Sequence, residues 1–338
     1  MRAAVFYETR DLRVSEIDMP RLIEGHVLLQ VEYCGICGTD NLIYNGQCYA
    51  NTPLILGHEY SGIIIETGKN VNKYKPGMRV VVDPNIFCGK CSYCRKGKVH
   101  LCDSLISLGV IKNGGFATHS IVPESNIYEC NNDINLDIWA MVEPLACCIH
   151  GIGKTGISAG DVVLIFGAGL IGNMMIQLAR ISGASIIIVS DPLEKRRQYA
   201  KQSGADFIID PLTSDIKDAI QDISAGGADI IIDCSGSGEA QANSLDLVKK
   251  GGVILFFGCS PEERRIDLSP FKIFRNEVSI IGSINNPFCH ERAIRLIASK
   301  TVALGHLITH RFELNKIKEA FNIFGNADTL KIMITPNS

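Results

Sequence analysis

Short β-branched runs punctuated by Gly, Pro and Asn fill the first ~135 residues. VLLQVEY at 27–33, GIIIETG at 62–68, MRVVV at 78–82 and FATHSIV at 116–122 are strand-sized and predict a barrel-like, β-rich fold. From about residue 138 the period becomes helical, in IWAMVEPLACCIHGIGKTG. Strands and helices then alternate. VVLIF (162–166), SIIIVS (185–190), DIIIDCSG (229–236) and VILFFG (253–258) are strands. LIGNMMIQLARISG (170–183), LEKRRQYAKQSG (193–204) and EAQANSLDLVKKGG are helices. Apolar strands alternating with helices predict a parallel sheet covered on both faces. The helical stretches PFCHERAIRLIASK and LNKIKEAFNIF and a strand LKIMIT (330–335) complete the chain.

At 338 residues the chain is long for one core, so two domains are expected. A formal net charge of −3 provides neither a basic field for nucleic acid nor an acidic tail, which favours a small-molecule partner. The N-terminal MRAAVFYETRDLRVSEIDMP does not read as a signal peptide, and no apolar run reaches about 18 residues, so no membrane contact is expected. Thirteen cysteines without signs of export point to a reducing, cytoplasmic setting. There, clustered cysteines are metal ligands and scattered ones small core hydrophobes.

Gly167-Ala168-Gly169-Leu170-Ile171-Gly172 is a G-x-G-x-x-G that directly follows a buried-type strand and opens a helix. The first glycine makes the tight turn, the second admits a pyrophosphate to the backbone, and the third lets helix and sheet pack closely. Asp191 ends the next strand, about 20 residues beyond Gly172, where the dinucleotide fingerprint expects an acid. A carboxylate there accepts ribose hydroxyls and repels a 2′-phosphate, which favours NAD. The basic Lys195-Arg196-Arg197 keeps NADP open. The plainer reading of Asp191 is a cap for the following helix.

Cys88, Cys91, Cys94 and Cys102 fall within 15 residues of a loop rich in Gly and Lys. Four thiolates suit a closed, tetrahedral structural zinc site; an iron–sulfur cluster or two disulfides are the competing readings. A second constellation consists of Cys37 in CGICGTD, His58-Glu59 in LGHEY, and Glu143 in VEPLA. Taken singly, a histidine beside glycine is more often a turn residue, and Glu143 before proline could simply start a helix.

Taken together, CGTD, GHEYSG, the four-cysteine loop and GAGLIG stand in the order and spacing of the zinc-containing medium-chain dehydrogenase/reductase family, which the chain resembles from end to end. The VEPLA segment resembles the branch of polyol and threonine dehydrogenases, which includes sorbitol and sugar-alcohol-phosphate dehydrogenases. The resemblance implies a GroES-like, β-rich catalytic domain (1–146 and 285–338) and an α/β Rossmann domain with a doubly wound parallel sheet (147–284). It implies two zinc ions per chain and a nicotinamide cofactor. The catalytic zinc would be held by Cys37 and His58, with Glu59 or Glu143 as further ligand or holding a water. Such a zinc makes the alcohol acidic enough to give up hydride to the nicotinamide.

Thr39 matches the family's proton-relaying hydroxyl, a group able to donate and accept at once. Cofactor contacts are implied for Ile171, Arg196, Phe257, Gly258, Cys259, Ser283, Ile284 and Asn285. Three departures stand out. Leu42 replaces a relay histidine, Ile43 a substrate-contacting tyrosine, and Asn285-Asn286 an arginine–tyrosine pair that grips the sugar alcohol. The expected activity is oxidation of a secondary alcohol on a polyol or polyol phosphate. A threonine or butanediol-type dehydrogenase is the alternative, and a non-catalytic dinucleotide-binding protein would need a broken motif that is not seen. A homodimer or homotetramer is expected, often built in the family through the last strand of the cofactor sheet, here near 276–284.

Overall fold

Residues 2–16 form a hairpin because four buried residues, Ala3 to Phe6, need an apolar partner face. Strand β1 (Arg2–Glu8) pairs antiparallel with β2 (Asp11–Glu16), placing Phe6 opposite Leu12. In this computed structural model, which describes residues 1–338, the chain divides into two compact units. One comprises Met1–Ala146 with Asn286–Ser338, the other Cys147–Asn285. The second crossing falls one residue after the boundary expected from sequence.

The first unit continues with β3 (His26–Gly35), α1 (Gly38–Tyr44), β4 (Leu54–Ile55), β5 (Glu59–Thr67) and β6 (Arg79–Val82). Next come β7 (Asn85–Ile86), α2 (Ser92–Arg95), β8 (Ile106–Ser107), β9 (His119–Pro123) and β10 (Ile127–Glu129). Helices α3 (Leu136–Trp139) and α4 (Val142–Ile152) follow. The expected strand at 116–122 starts only at His119. Phe116 and Ala117 are fully buried, and the Phe116 backbone bonds instead to Ala4 and Leu56. Strand β3 is central because both its edges are taken. It pairs antiparallel with β5, with Gly35 opposite Glu59, and with β9.

The second unit opens with β11 (Val162–Phe166), all five residues buried. Then follow α5 (Leu170–Ser182), β12 (Ile186–Ser190), α6 (Glu194–Gln202), β13 (Phe207–Ile209) and α7 (Ile216–Ile223). The unit ends with β14 (Ala228–Asp233), α8 (Gly238–Leu247), β15 (Val248–Phe256), α9 (Pro270–Asn276) and β16 (Ser279–Gly282). All its strands are parallel, in the order β13-β12-β11-β14-β15-β16. That is the 3-2-1-4-5-6 order of a doubly wound dinucleotide-binding sheet. The segment EAQANSLDLVKKGG, expected to be helical throughout, leaves the helix after Leu247. β-Branched Val248 pairs with Ala228 instead, and packing of the sheet overrides helical propensity.

The chain returns to the first unit through α10 (His290–Ala298), β17 (Ile308–Glu313), α11 (Ile317–Asn322) and β18 (Lys331–Thr335). Helix α10 starts three residues later than the sequence pattern because Phe288 adopts a left-handed φ of 56°. Strand β18 places Met333 opposite Gly35 and Ile334 opposite Cys34. The full sheet order is β10-β6-β5-β3-β18-β17, with β9 also on β3. Beneath it lies a core that includes Leu29, Tyr60, Phe116 and Phe321. Burying a side chain of this size contributes roughly 1.5–3 kcal/mol. No helix is long and apolar enough to cross a membrane.

Candidate active site

Three turns in the first unit bring distant residues together. Cys37 is the N-cap of α1, and its N–H donates to Asp40 Oδ2 at 2.9 Å. Gly57, just before His58, has φ 90°. A Cβ there would lie 2.6 Å from Cys34 Sγ and 2.8 Å from the Phe116 ring, so only glycine fits. Glu59 begins β5 and is buried. The ligand atoms of Cys37, His58 and Glu59 all lie within 4.8 Å of one another.

Asp40 organises this group from behind. It is fully buried, accepts the Gly57 N–H at 3.2 Å and sits 3.3 Å from His58 Nδ1. A carboxylate at Nδ1 fixes the ring and presents Nε2 as a ligand atom. Burial by itself lowers the His58 pKa, but the charges of Asp40 and Cys37 outweigh it and hold it well above its ordinary value. On the far side, Lys331 of β18 is buried and its Nζ donates to Glu59 Oε2 and, at 3.0 Å, to Ile36 O. Sequence reading missed Lys331. Its signal was a lone charge inside the apolar run LKIMIT.

Glu143, on the first turn of α4, stands outside the three-residue group; its Oε1 accepts from Asn286 Nδ2 at 2.8 Å. Thr39 is half-buried on the first turn of α1, beside Cys37. Ile43 lies in the hydrophobic core, 1% exposed, so it cannot take the place of a substrate-contacting tyrosine.

The four cysteines of the long loop also converge. Cys88, Cys91, Cys94 and Cys102 have sulfurs within 4.8 Å of one another, with 4.0 Å between those of Cys88 and Cys94. Four sulfurs at tetrahedral zinc distances are about 3.8 Å apart, so the spacing fits the ion. Backbone N–H groups of Cys88, Cys91, Cys94 and Ser104 point at sulfurs at 3.3–3.4 Å. Such donors favour thiolates. Those of Lys90 and Cys91 lower the Cys88 pKa to about 6, while burial pushes Cys94 up to about 12.

In the second unit, the strand register sets five strand ends side by side. Phe166 pairs with Ser190 and Asp233, Asp233 with Phe256, and Phe256 with Gly282. The residues beyond these ends, Gly167, Asp191, Phe257, Gly258, Cys259 and Ser283–Asn285, therefore line one edge, where parallel sheets bind ligands. Gly169 precedes α5, whose first residues Leu170 and Ile171 lead to Gly172. A Cβ on Gly172 would collide with Gly167 O. Asp191 Oδ2 accepts from Ala168 N and Oδ1 from Leu193 N, both at 2.8 Å. The acid thus holds the glycine turn and closes a turn onto Leu193, itself the N-cap of α6, rather than capping that helix as the plainer sequence reading expected. Arg196 is half-buried in α6, and Ile284 is exposed.

Residues 23–132 match the alcohol dehydrogenase GroES-like domain, and residues 171–299 match the zinc-binding dehydrogenase domain. D-arabinitol dehydrogenase 1 of Uromyces fabae is 32% identical over 99% of this chain and 97% of its own length. The chain belongs to the zinc-containing medium-chain alcohol dehydrogenase family. D-arabitol-phosphate dehydrogenase of Enterococcus avium is 33% identical, covering 95% of this chain and 93% of that protein. Among solved structures, a zinc-binding dehydrogenase assignment from Sinorhizobium meliloti 1021, bound to NADP, superposes with a TM-score of 0.97. It is 35% identical and covers 99% of both chains. This dehydrogenase is accordingly a zinc-dependent, nicotinamide-linked oxidoreductase with a GroES-like and a Rossmann domain.

Proposed function

We propose that this dehydrogenase oxidises a secondary alcohol of a polyol or polyol phosphate to the ketone. The observation that carries the reading is the convergence of half-buried Cys37 with buried His58 and Glu59, with Asp40 behind the imidazole. One thiolate, one imidazole and one carboxylate form an open catalytic zinc set, which differs from the closed set of four cysteines. Bound there, zinc would act as a Lewis acid on the substrate hydroxyl, and a bound nicotinamide would accept the hydride.

The chain's own residues do the rest. Cys37 and His58 hold the metal, and Asp40 keeps His58 in one orientation. Lys331 offsets the Glu59 charge, so this carboxylate rests beside a thiolate without stranding a second negative group. Thr39 takes the alcohol proton and passes it outward, and Glu143 supplies a further carboxylate as ligand or water holder. The first unit is the catalytic domain, and the second binds the dinucleotide along Gly167–Gly172 and Asp191. We assign two zincs per chain and a preference for NAD, since a carboxylate after β12 repels a 2′-phosphate. Thirteen cysteines, four of them gathered as a metal-ligand set, fit a reducing, cytoplasmic setting.

The similarity to an arabinitol and an arabitol-phosphate dehydrogenase supports the substrate class. Steady-state kinetics with both nicotinamides on sugar alcohols, their phosphates, threonine and 2,3-butanediol test it. High kcat/KM on a polyol or its phosphate is expected; turnover of only threonine or small diols would refute the substrate class. Cys37→Ser and His58→Ala are expected to abolish turnover while the unfolding transition persists, measured by circular dichroism. An active His58→Ala would sink the assignment of the metal centre.

A further inference from the structure

Glu143 is reached by a run of hydrogen bonds that all point the same way. Ser107 Oγ donates to Asn85 Oδ1 at 2.7 Å. Asn85 Nδ2 donates to Asn286 Oδ1 at 3.1 Å, and Asn286 Nδ2 donates to Glu143 Oε1 at 2.8 Å. Each amide accepts from one neighbour and donates to the next, so neither can flip without losing both bonds. The run ends on a carboxylate, where a charge-assisted bond is strongest. Asn286 and Glu143 are 2% and 7% exposed, which keeps water from replacing the amide.

The backbone around Asn286 is shaped for this contact. Asn285 and Phe288 on either side both have left-handed φ angles, 55° and 56°, a conformation costly for a bulky phenylalanine. The tight bend turns the Asn286 side chain inward. It also sets Phe288 edge-on against Phe87, the residue after β7, with ring centroids 6.1 Å apart. Segments 85–87 and 286–288 are thus joined twice, by an amide pair and by an aromatic pair. At the other end, Asn85 and Ser107 lie on the paired strands β7 and β8, which face each other directly and bracket the four-cysteine loop. The Asn126 amide further fixes β7, donating to Asn85 O at 2.9 Å and Asp83 O at 3.0 Å.

We propose that Asn286, oriented by Asn85, is a positioning residue that sets the Glu143 carboxylate for the reaction, so that the hairpin at the base of the cysteine loop serves the active site. Fixing one carboxylate oxygen fixes the direction of the other, and with it whatever Glu143 holds. The inference rests on the reading of Glu143 as part of the active site.

The test uses zinc-loaded full-length enzyme carrying Asn286→Ala, Asn286→Asp, Asn85→Ala, the Asn85→Ala/Asn286→Ala pair, or Glu143→Gln. Kinetics are measured with the best alcohol of the panel, and zinc loss is followed with a chelator. Asn286→Ala removes the donor without adding charge, whereas Asn286→Asp keeps the volume but faces Glu143 with a second carboxyl group. Both Asn286 variants should lose about tenfold or more in kcat and release the first zinc about tenfold faster, the scale of a lost outer-shell partner. KM for the nicotinamide should stay within about twofold, since uniform cofactor binding is untouched. Asn85→Ala should cost about threefold alone and nothing more in the Asn286→Ala background, because coupled residues are not additive. Full kcat and unchanged zinc release in Asn286→Ala, or losses that simply multiply in the pair, overturn the proposal. A fully active Glu143→Gln overturns the reading beneath it instead; an inactive Glu143→Gln beside active Asn286 variants overturns the positioning alone.

Discussion

Lys331 and Glu59 form an ion pair with almost no solvent access, their side chains 1% and 2% exposed. Breaking such a pair leaves a buried charge without compensation, which costs on the order of 3–5 kcal/mol. Lys331→Met should therefore lower unfolding stability by that order in urea titrations; a change below ~1 kcal/mol would mean that Glu59 finds another partner. Burial alone lowers the lysine pKa, but the Glu59 charge outweighs it and holds it above its ordinary 10.5. A raised lysine value stabilises fully below the unfolded pKa and loses that contribution only as pH climbs through the folded one. The Lys331 contribution should thus be flat across neutral pH and fall only above about 10.5. At Asp191, both oxygens already accept backbone N–H groups, so Asp191→Ala removes a turn support as well as the proposed ribose acceptor. It should weaken binding of both nicotinamides while narrowing the NAD-to-NADP ratio of kcat/KM. An unchanged ratio would leave the residue a turn support alone.

Among elements, the cysteine loop between β7 and β8 has little hydrophobic support of its own: α2 buries none of its residues. A segment of this kind is held by its metal. Cys91→Ser should lower Tm by at least about 5 °C, read by differential scanning calorimetry. It should also remove one of the two zincs proposed per chain, as counted by metal analysis. A fully stable variant with unchanged zinc content would show that the loop is no metal site. Legibility differed among elements for a physical reason. Strand β11 matches its sequence run residue for residue, since a wholly buried parallel strand leaves an unbroken apolar signature. Helix α8 ended early and α10 began late, because sheet pairing of Val248 and the left-handed Phe288 are set by partners distant in sequence.

For the whole molecule, assembly would centre on β16, an edge strand of the parallel sheet. In α9, the helix that precedes it in the chain, Phe271 and Phe274 are 70% and 82% exposed. An unpaired sheet edge and exposed aromatic rings are each a liability in a lone molecule. A homo-oligomer joined through this edge should appear as a dimer or larger in sedimentation equilibrium, and Ile281→Pro should dissociate it. A monomer at micromolar concentration, or an oligomer indifferent to Ile281→Pro, would place the contact elsewhere.

The sequence by itself determined the chemistry that depends on short spacing. Four thiols within one loop and three glycines in one turn declare their ligands locally, because the residues that act together are neighbours in the chain. It also carried Cys37, His58 and Glu59 as candidates through their motif order. Only tertiary structure decided how these meet. Lys331 reaches Glu59 across 272 positions and Asn286 reaches Glu143 across 143, and nothing local names the partner of either. Burial makes those pairings obligatory, since a charge or amide removed from water must find its partner wherever the fold brings one.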